Sequence, residues 1–198
     1  KQKASDLQTR VLGMKRGSAE YKECVRTFSS DLFEASAAKF RSTNPAAMAL
    51  EKEAADAFSP LINQFNQVSA YVCDSILKQS TLAEAHKNLV FWLDVAEESL
   101  RRGDYLTAQA IASGLGSPPI SRLLYDANTQ KFYIAAEEKN RVDKLCSQFN
   151  REGSFKLTRE WTEKRLAAHQ VVIPFVGVYS TDITFARDGN RDSKGKLK

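Results

Sequence analysis

The stretch "AIASGLGSPPISRL", residues 110–123, carries no charge until Arg122, spends two glycines within three residues and then sets two prolines side by side. Upstream, "DYLTAQAIASGL" reads as a helix that Asp104 caps and that Gly114 and Gly116 weaken and end. Downstream, Ser117 caps a second helix whose first turn accepts Pro118 and Pro119, because a proline there has no hydrogen bond to lose. Two helices joined by a stiff corner of small residues need partners on both sides. Ile120 and Leu123, three residues apart, are both expected to face a core.

The neighbouring segments supply those partners. In "TLAEAHKNLVFWLDVAEESL", residues 81–100, Leu82, Ala85, Leu89, Leu93, Ala96 and Leu100 recur at helical spacing. Phe91 and Trp92 widen that stripe, so this helix is expected to be buried on more than one side. Leu61, Phe65, Val68, Val72 and Ile76 repeat the pattern over 61–77. Phe132, Ala136, Val142, Leu145 and Phe149 mark another helix, halted by Gly153, and Leu157, Trp161, Arg165 and Ala168 one more. The first sixty residues are alanine-rich and weaker in pattern, although Asn44 and Pro45 make a good helix start. Only "VVIPFVGVY", residues 171–179, reads as extended, being rich in β-branched residues. Nothing alternates helix with strand as a parallel sheet requires. The expected fold is a single all-α domain.

With 198 residues, 42% apolar and 27% charged, the chain is ordinary globular material, and no apolar run is long enough to span a bilayer. Cys24, Cys73 and Cys146 are odd in number and far apart, which points to reduced thiols in a cytoplasmic protein. The net charge of +5 is concentrated at one end: residues 187–198 hold five bases against Asp188 and Asp192. No aromatic residue interleaves with these bases for stacking, so a nucleic-acid partner is not expected. Catalytic constellations are missing as well. His86 and His169 have no partners at metal-ligand spacing, and "GLGSPP" matches neither a P-loop, a Rossmann turn nor a nucleophile elbow. Neither a metal nor a cofactor is expected. The work is left to a shaped surface.

Three segments, in order, carry a resemblance. "FWLDVAEESLRRGDYLTAQAIASGLGSPPISRL" resembles the corresponding stretch of the Ras-family guanine nucleotide exchange factor catalytic domain. "IPFVGVYSTDITFARDGN" is similar to that family's Pro-Phe-x-Gly-x-Tyr-x-Thr-Asp segment, which closes on an acidic residue, Gly and Asn. "INQFNQVSAYVCDSIL", residues 62–77, is similar to an early family helix with a Phe-Asn pair. The likeness covers about residues 61–190. It implies a helical bowl gripping the switch regions of a Ras-subfamily small GTPase, preferentially when nucleotide-free, and a hairpin that wedges open the nucleotide site. It further implies a core at 61–190, with 1–60 as a helical segment of the same domain and 191–198 as a basic tail. The family's chain continues beyond the Gly-Asn pair, so the hairpin is expected to be incomplete here. The cytoplasm is the implied location, which would be a host's cytosol for a bacterial effector.

Carried over by position, the wedge residues are Thr184 and Asp188. Ile62, Asn63, Gln109, Gly116, Phe175, Thr181, Gly189 and Asn190 are the implied GTPase contacts. Four positions depart from the family's habit: Asp188 where Glu is usual, Gly116 for Asn, Gln109 for an apolar residue and Ser180 for Leu. Two local readings stay open beside the resemblance. Asp188 before Gly189-Asn190 is ordinary turn chemistry, and Thr184 is a natural first-turn residue after an Asp182 cap. A GTPase-binding module without exchange activity is the alternative to an active exchanger.

Overall fold

The computed structural model describes residues 10–42, 51–126, 131–150 and 152–189. The Asn44–Pro45 helix start, Asn190 and the 191–198 tail lie outside the described residues. After a short helical turn at 10–13 come α1 (Ala19–Ser42), α2 (Glu51–Leu77), α3 (Leu82–Arg102), α4 (Tyr105–Leu115) and α5 (Pro118–Leu124). A small antiparallel ladder follows, β1 (Tyr125–Asp126) with β2 (Lys131–Phe132), then α6 (Ala136–Gln148), α7 (Lys156–Ala167) and α8 (Val176–Gly189). The fold is all-α, as the periodicity predicts.

Helix α3 is the hub, and its sequence explains why. Thr81 and Glu84 form a reciprocal capping box at its start, and Gly103 closes it in the left-handed conformation, φ 85°. Phe91 and Trp92 are each 1% exposed, the burial on several sides that a widened stripe demands. Their rings meet Phe28 of α1 edge-on at 5.7 and 5.3 Å, and Tyr71 of α2 meets Trp92 at 5.9 Å. The indole N–H is satisfied within this apolar setting by donating to Ser75 Oγ at 2.7 Å. A polar seam ties α1, α3 and α6 together: Asp94 accepts from Tyr21 Oη at 2.6 Å and pairs with Arg141, which also reaches Glu97 at 2.8 Å.

Helix α4 packs against α1, α2, α3, α5 and α6. Its glycine is there for contact rather than for bending. A Cβ on Gly114 would lie 2.8 Å from the Ser69 carbonyl and 2.9 Å from Val72 Cβ, so the α4 backbone closely approaches both the backbone and a side chain of α2. The corner that follows is built as expected, with Gly116 as C-cap and Ser117 as N-cap, although Ser117 gives no side-chain cap and instead lies 3.5 Å from Cys73 Sγ. Ile120 is fully buried, whereas Leu123 is only half-buried and Leu124, 5% exposed, takes the second core position.

Other readings need correction. Phe132 belongs to β2, and the helix assigned to it begins at Ala136. Residues 51–60 and 61–77 form one helix that runs through Pro60; the proline removes one rung, and buried Phe58 and Leu61 on either side keep the helix docked. The extended reading of 171–179 holds only for its first half. Ile173 bridges Asp104, with Tyr105 N donating to Ile173 O and Ile173 N to Gly103 O, both at 2.9 Å. From Val176 the chain is helical, with Val176 and Val178 (4% and 5% exposed) buried against the body, a tertiary context that overrides their local β propensity.

Candidate functional site

The strap at 171–175 is held where α3 meets α4. Gly103 needs its positive φ, and a Cβ there would stand 2.6 Å from the Val171 carbonyl, so glycine is required on both counts. Asp104 is fully buried and caps α4 through Oδ1, which accepts from Thr107 N at 3.0 Å. Burial pushes its carboxyl up to about 6, against the partial relief of those cap bonds. The corner thus pins the strap that leads into α8.

Phe175 follows immediately and organises the start of α8. Its ring lies 5.9 Å from Phe65 of α2, 6.3 Å from Phe149 at the end of α6 and 5.6 Å from Phe155 before α7. The ring folds back over Gly177, where a Cβ would come within 2.3 Å of Phe175 Cζ. That contact is the physical reason for the Phe-x-Gly spacing. Gly153, Ser154 and Phe155 all have positive φ, at 57°, 55° and 63°, which turns buried Phe155 beneath Phe175.

On α8, Thr181 Oγ1 donates to Gly177 O at 2.7 Å and Thr184 Oγ1 to Ser180 O at 2.9 Å. Both hydroxyls therefore hold bonds that an incoming acceptor can exchange for its own. Residues 183–186 are exposed one after another, and four successive helical residues point to every side. Residues 183–186 of α8 accordingly stand clear of the body. Asp182 is mid-helix and paired with Arg159 of α7, so it does not cap, and Thr184 is not a first-turn residue. The backbone of Asp188 lies in the last helical turn rather than in a turn after the helix, and Gly189, exposed, ends it.

The remaining nominated residues sit on the two elements beside the strap. Ile62 and Asn63 are exposed on α2, within one turn of Phe65. Gln109 on α4 and Gly116, its C-cap, are seven apart and lie on one side of the helix. Gln109 is half-buried, and its Oε1 is shielded from solvent without a hydrogen bond among the described residues. Gly116 is exposed; a Cβ there would come within 3.2 Å of Ala112 O and 3.3 Å of Cys146 Sγ, a tight fit that asks these neighbours to shift by a few tenths of an ångström. Phe175 thereby joins α2 and α6, the helices that flank α4. Sequence reasoning missed Arg159 and Phe155, and read Phe149 only as part of a helical stripe. The one available signal was their aromatic or planar character, and their partners lie tens of residues away. No group of His, Cys, Asp and Glu suited to a metal occurs among the described residues, and no helix there is long and apolar enough to cross a membrane.

Comparison with known proteins gives a consistent picture. Residues 19–197 match the family model described as the RasGEF domain. Ras guanine nucleotide exchange factor K of Dictyostelium discoideum is 30% identical over 131 residues, covering 66% of this chain and 8% of that protein. Factors B and J of the same organism are 26% and 28% identical over 132 and 138 residues, each covering 67% of this chain. The matched stretch is 8% of the length of factor B and 16% of factor J, so the chain corresponds to a small part of each relative.

Proposed function

Because the chain belongs to the RasGEF domain family, we propose that it is a guanine nucleotide exchange factor that stimulates GDP release from a Ras-subfamily small GTPase. The observation that carries this reading is α8: a helix rooted by Phe175 and the Gly103–Asp104 corner, whose exposed stretch 183–186 bears Thr184 and whose backbone ends at Asp188 and Gly189. Residues 61–190 are the exchange core, 1–60 a helical segment of the same domain and 191–198 a basic tail. The site of action is the cytoplasm.

Exchange needs no covalent step. A small GTPase holds its nucleotide through Mg²⁺ and through backbone donors around the phosphates, and Mg²⁺ demands a near-octahedral oxygen shell. Thr184, inserted at the metal position, leaves that shell no room. The Asp188 carboxylate offers charge-assisted hydrogen bonds to donors that the departing phosphate would strand. Phe175, Ile62 and Asn63 provide the adjoining contact surface, and Gln109, Gly116, Thr181, Gly189 and Asn190 extend it. The Mg²⁺ belongs to the GTPase, and this chain contributes no cofactor. Exchanger and nucleotide then weaken each other's binding by the same factor.

The experiment is a capture assay on Ras-, Rap- and Ral-type GTPases, each prepared nucleotide-free and GDP-loaded. Tighter capture of the empty form of at least one of them is expected. Equal capture of both forms throughout would leave only a GTPase-binding module.

A further inference from the structure

Helix α8 has two opposed sides, and one ion pair stands on the boundary condition that keeps them apart. Val178, Tyr179 and Asp182 face the groove shared with α7, where they meet Arg159, Thr162 and Leu166. Thr181, Thr184 and the backbone position of Asp188 follow i, i+3, i+7 spacing, and at 100° per residue this set points roughly 130° away from the α7 side. Whatever fixes the rotation of α8 about its axis therefore fixes where the second set points.

Arg159 is built for that task. Its two terminal nitrogens donate to the two carboxylate oxygens of Asp182 at 2.8 and 2.5 Å, a planar bidentate pair. Its third donor, Nε, is held by Ser154 O at 2.7 Å, and Ser154 belongs to the left-handed turn that also sets Phe155 under Phe175. The guanidinium is thus fixed to the body before it grips α8. The pair holds the Asp182 carboxyl below its usual range, mainly through the Arg159 hydrogen bonds. Its side chains are 32% and 45% exposed, the regime in which an ion pair adds ~0–1 kcal/mol to stability. Geometry, rather than global stability, is what it can supply.

We propose that Arg159 and Asp182 are positioning residues that set the rotation of α8, turning Thr181 and Thr184 away from α7 and toward an incoming GTPase. The proposal rests on the exchange reading above. The magnitude is sufficient: side-chain tips lie about 5 Å from a helix axis, so a rotation of about 30° moves them by about 2.5 Å. Misplacement of about 1 Å can lower a rate by about 10²-fold.

The test uses the full chain carrying Arg159→Ala, Asp182→Ala or Arg159→Lys, with three measurements: release of fluorescent GDP from a Ras-type GTPase, thermal unfolding, and amide hydrogen exchange across α8 in the free protein. Each alanine variant should slow stimulated release by about tenfold or more and speed amide exchange in α8, with the melting temperature within about 2 °C of the parent. Arg159→Lys keeps the charge but loses the planar fork, so it should remain several-fold impaired. Release within twofold of the parent in both alanine variants would overturn the proposal, as would full activity in Arg159→Lys. If the parent protein stimulates no GTPase, the exchange reading has failed; unchanged α8 amide exchange in the alanine variants then overturns the clamp independently.

Discussion

Asp188 and Gly177 show how differently single residues in one segment contribute. If the Asp188 carboxylate replaces phosphate charge, Asp188→Asn should slow stimulated release without changing the melting temperature. The family's usual Glu is one methylene longer, so this chain's carboxylate falls short by about 1.5 Å, a gap over which hydrogen bonds fade. Asp188→Glu should therefore match or exceed the parent rate. A role limited to local backbone hydrogen bonding at the end of α8 orders the two variants the other way, since Asn can make such bonds and the longer Glu does so less well. Release rates for both variants decide between them. Gly177 answers to packing alone: a methyl there must displace the Phe175 ring, which it would meet at 2.3 Å. Gly177→Ala should cost about 1–3 kcal/mol in urea unfolding, the range for overpacking, and should expose aromatic surface from Phe65 and Phe155. Unchanged stability would mean that Phe175 is not seated over this glycine.

At the scale of elements, the corners rather than the helices carry the sensitive chemistry. Asp104 has its carboxyl raised to about 6 by burial, above the 3.8 it takes in an unfolded chain. The folded state therefore holds this proton more tightly, and the associated stability is present below about pH 4 and lost as pH rises through 6. Asp104→Asn keeps an oxygen for Thr107 N and removes the titration. It should flatten the stability profile between pH 4 and 6; a parallel profile in urea denaturation would refute the buried-charge account. At the other corner, Ile120→Ala should cost about 2–5 kcal/mol because Ile120 is fully buried, and Leu123→Ala clearly less because Leu123 is half-buried. That ranking also shows what the sequence made legible. Caps, proline positions and 3.6-residue stripes located α3, α4 and α5, since those signals are local. The start of α8 was hidden, because Val176, Val178 and Tyr179 favour strands locally and only docking against the body makes them helical. Arg159 and Asp182 were hidden for the same reason: their pairing spans 23 residues and leaves no periodic trace.

For the whole molecule, one arrangement accounts for fold and function together. The aromatic hub of α3 fixes α1, α2 and α4, the Gly103–Asp104 corner carries that rigidity to the strap, and Phe175 passes it to α8. Among the described residues, α8 is thus anchored at its start while residues 183–186 stay exposed, the arrangement on which the proposed displacement of nucleotide rests. Among the described residues nominated by resemblance, Ile62 and Asn63 fall on α2, Gln109 on α4 with Gly116 at its C-cap, and Thr181, Thr184 and the backbone of Asp188 on α8, although their roles were readable only through the motifs and not from spacing. The most direct measurement loads Ras-, Rap- and Ral-type GTPases with fluorescent GDP and follows release against excess unlabelled nucleotide at increasing concentrations of this protein. The account predicts that release from at least one of them accelerates in proportion to the protein added, and that the Thr184→Ala, Asp188→Asn double variant loses most of the acceleration. Intrinsic release rates for every GTPase at all concentrations would contradict it.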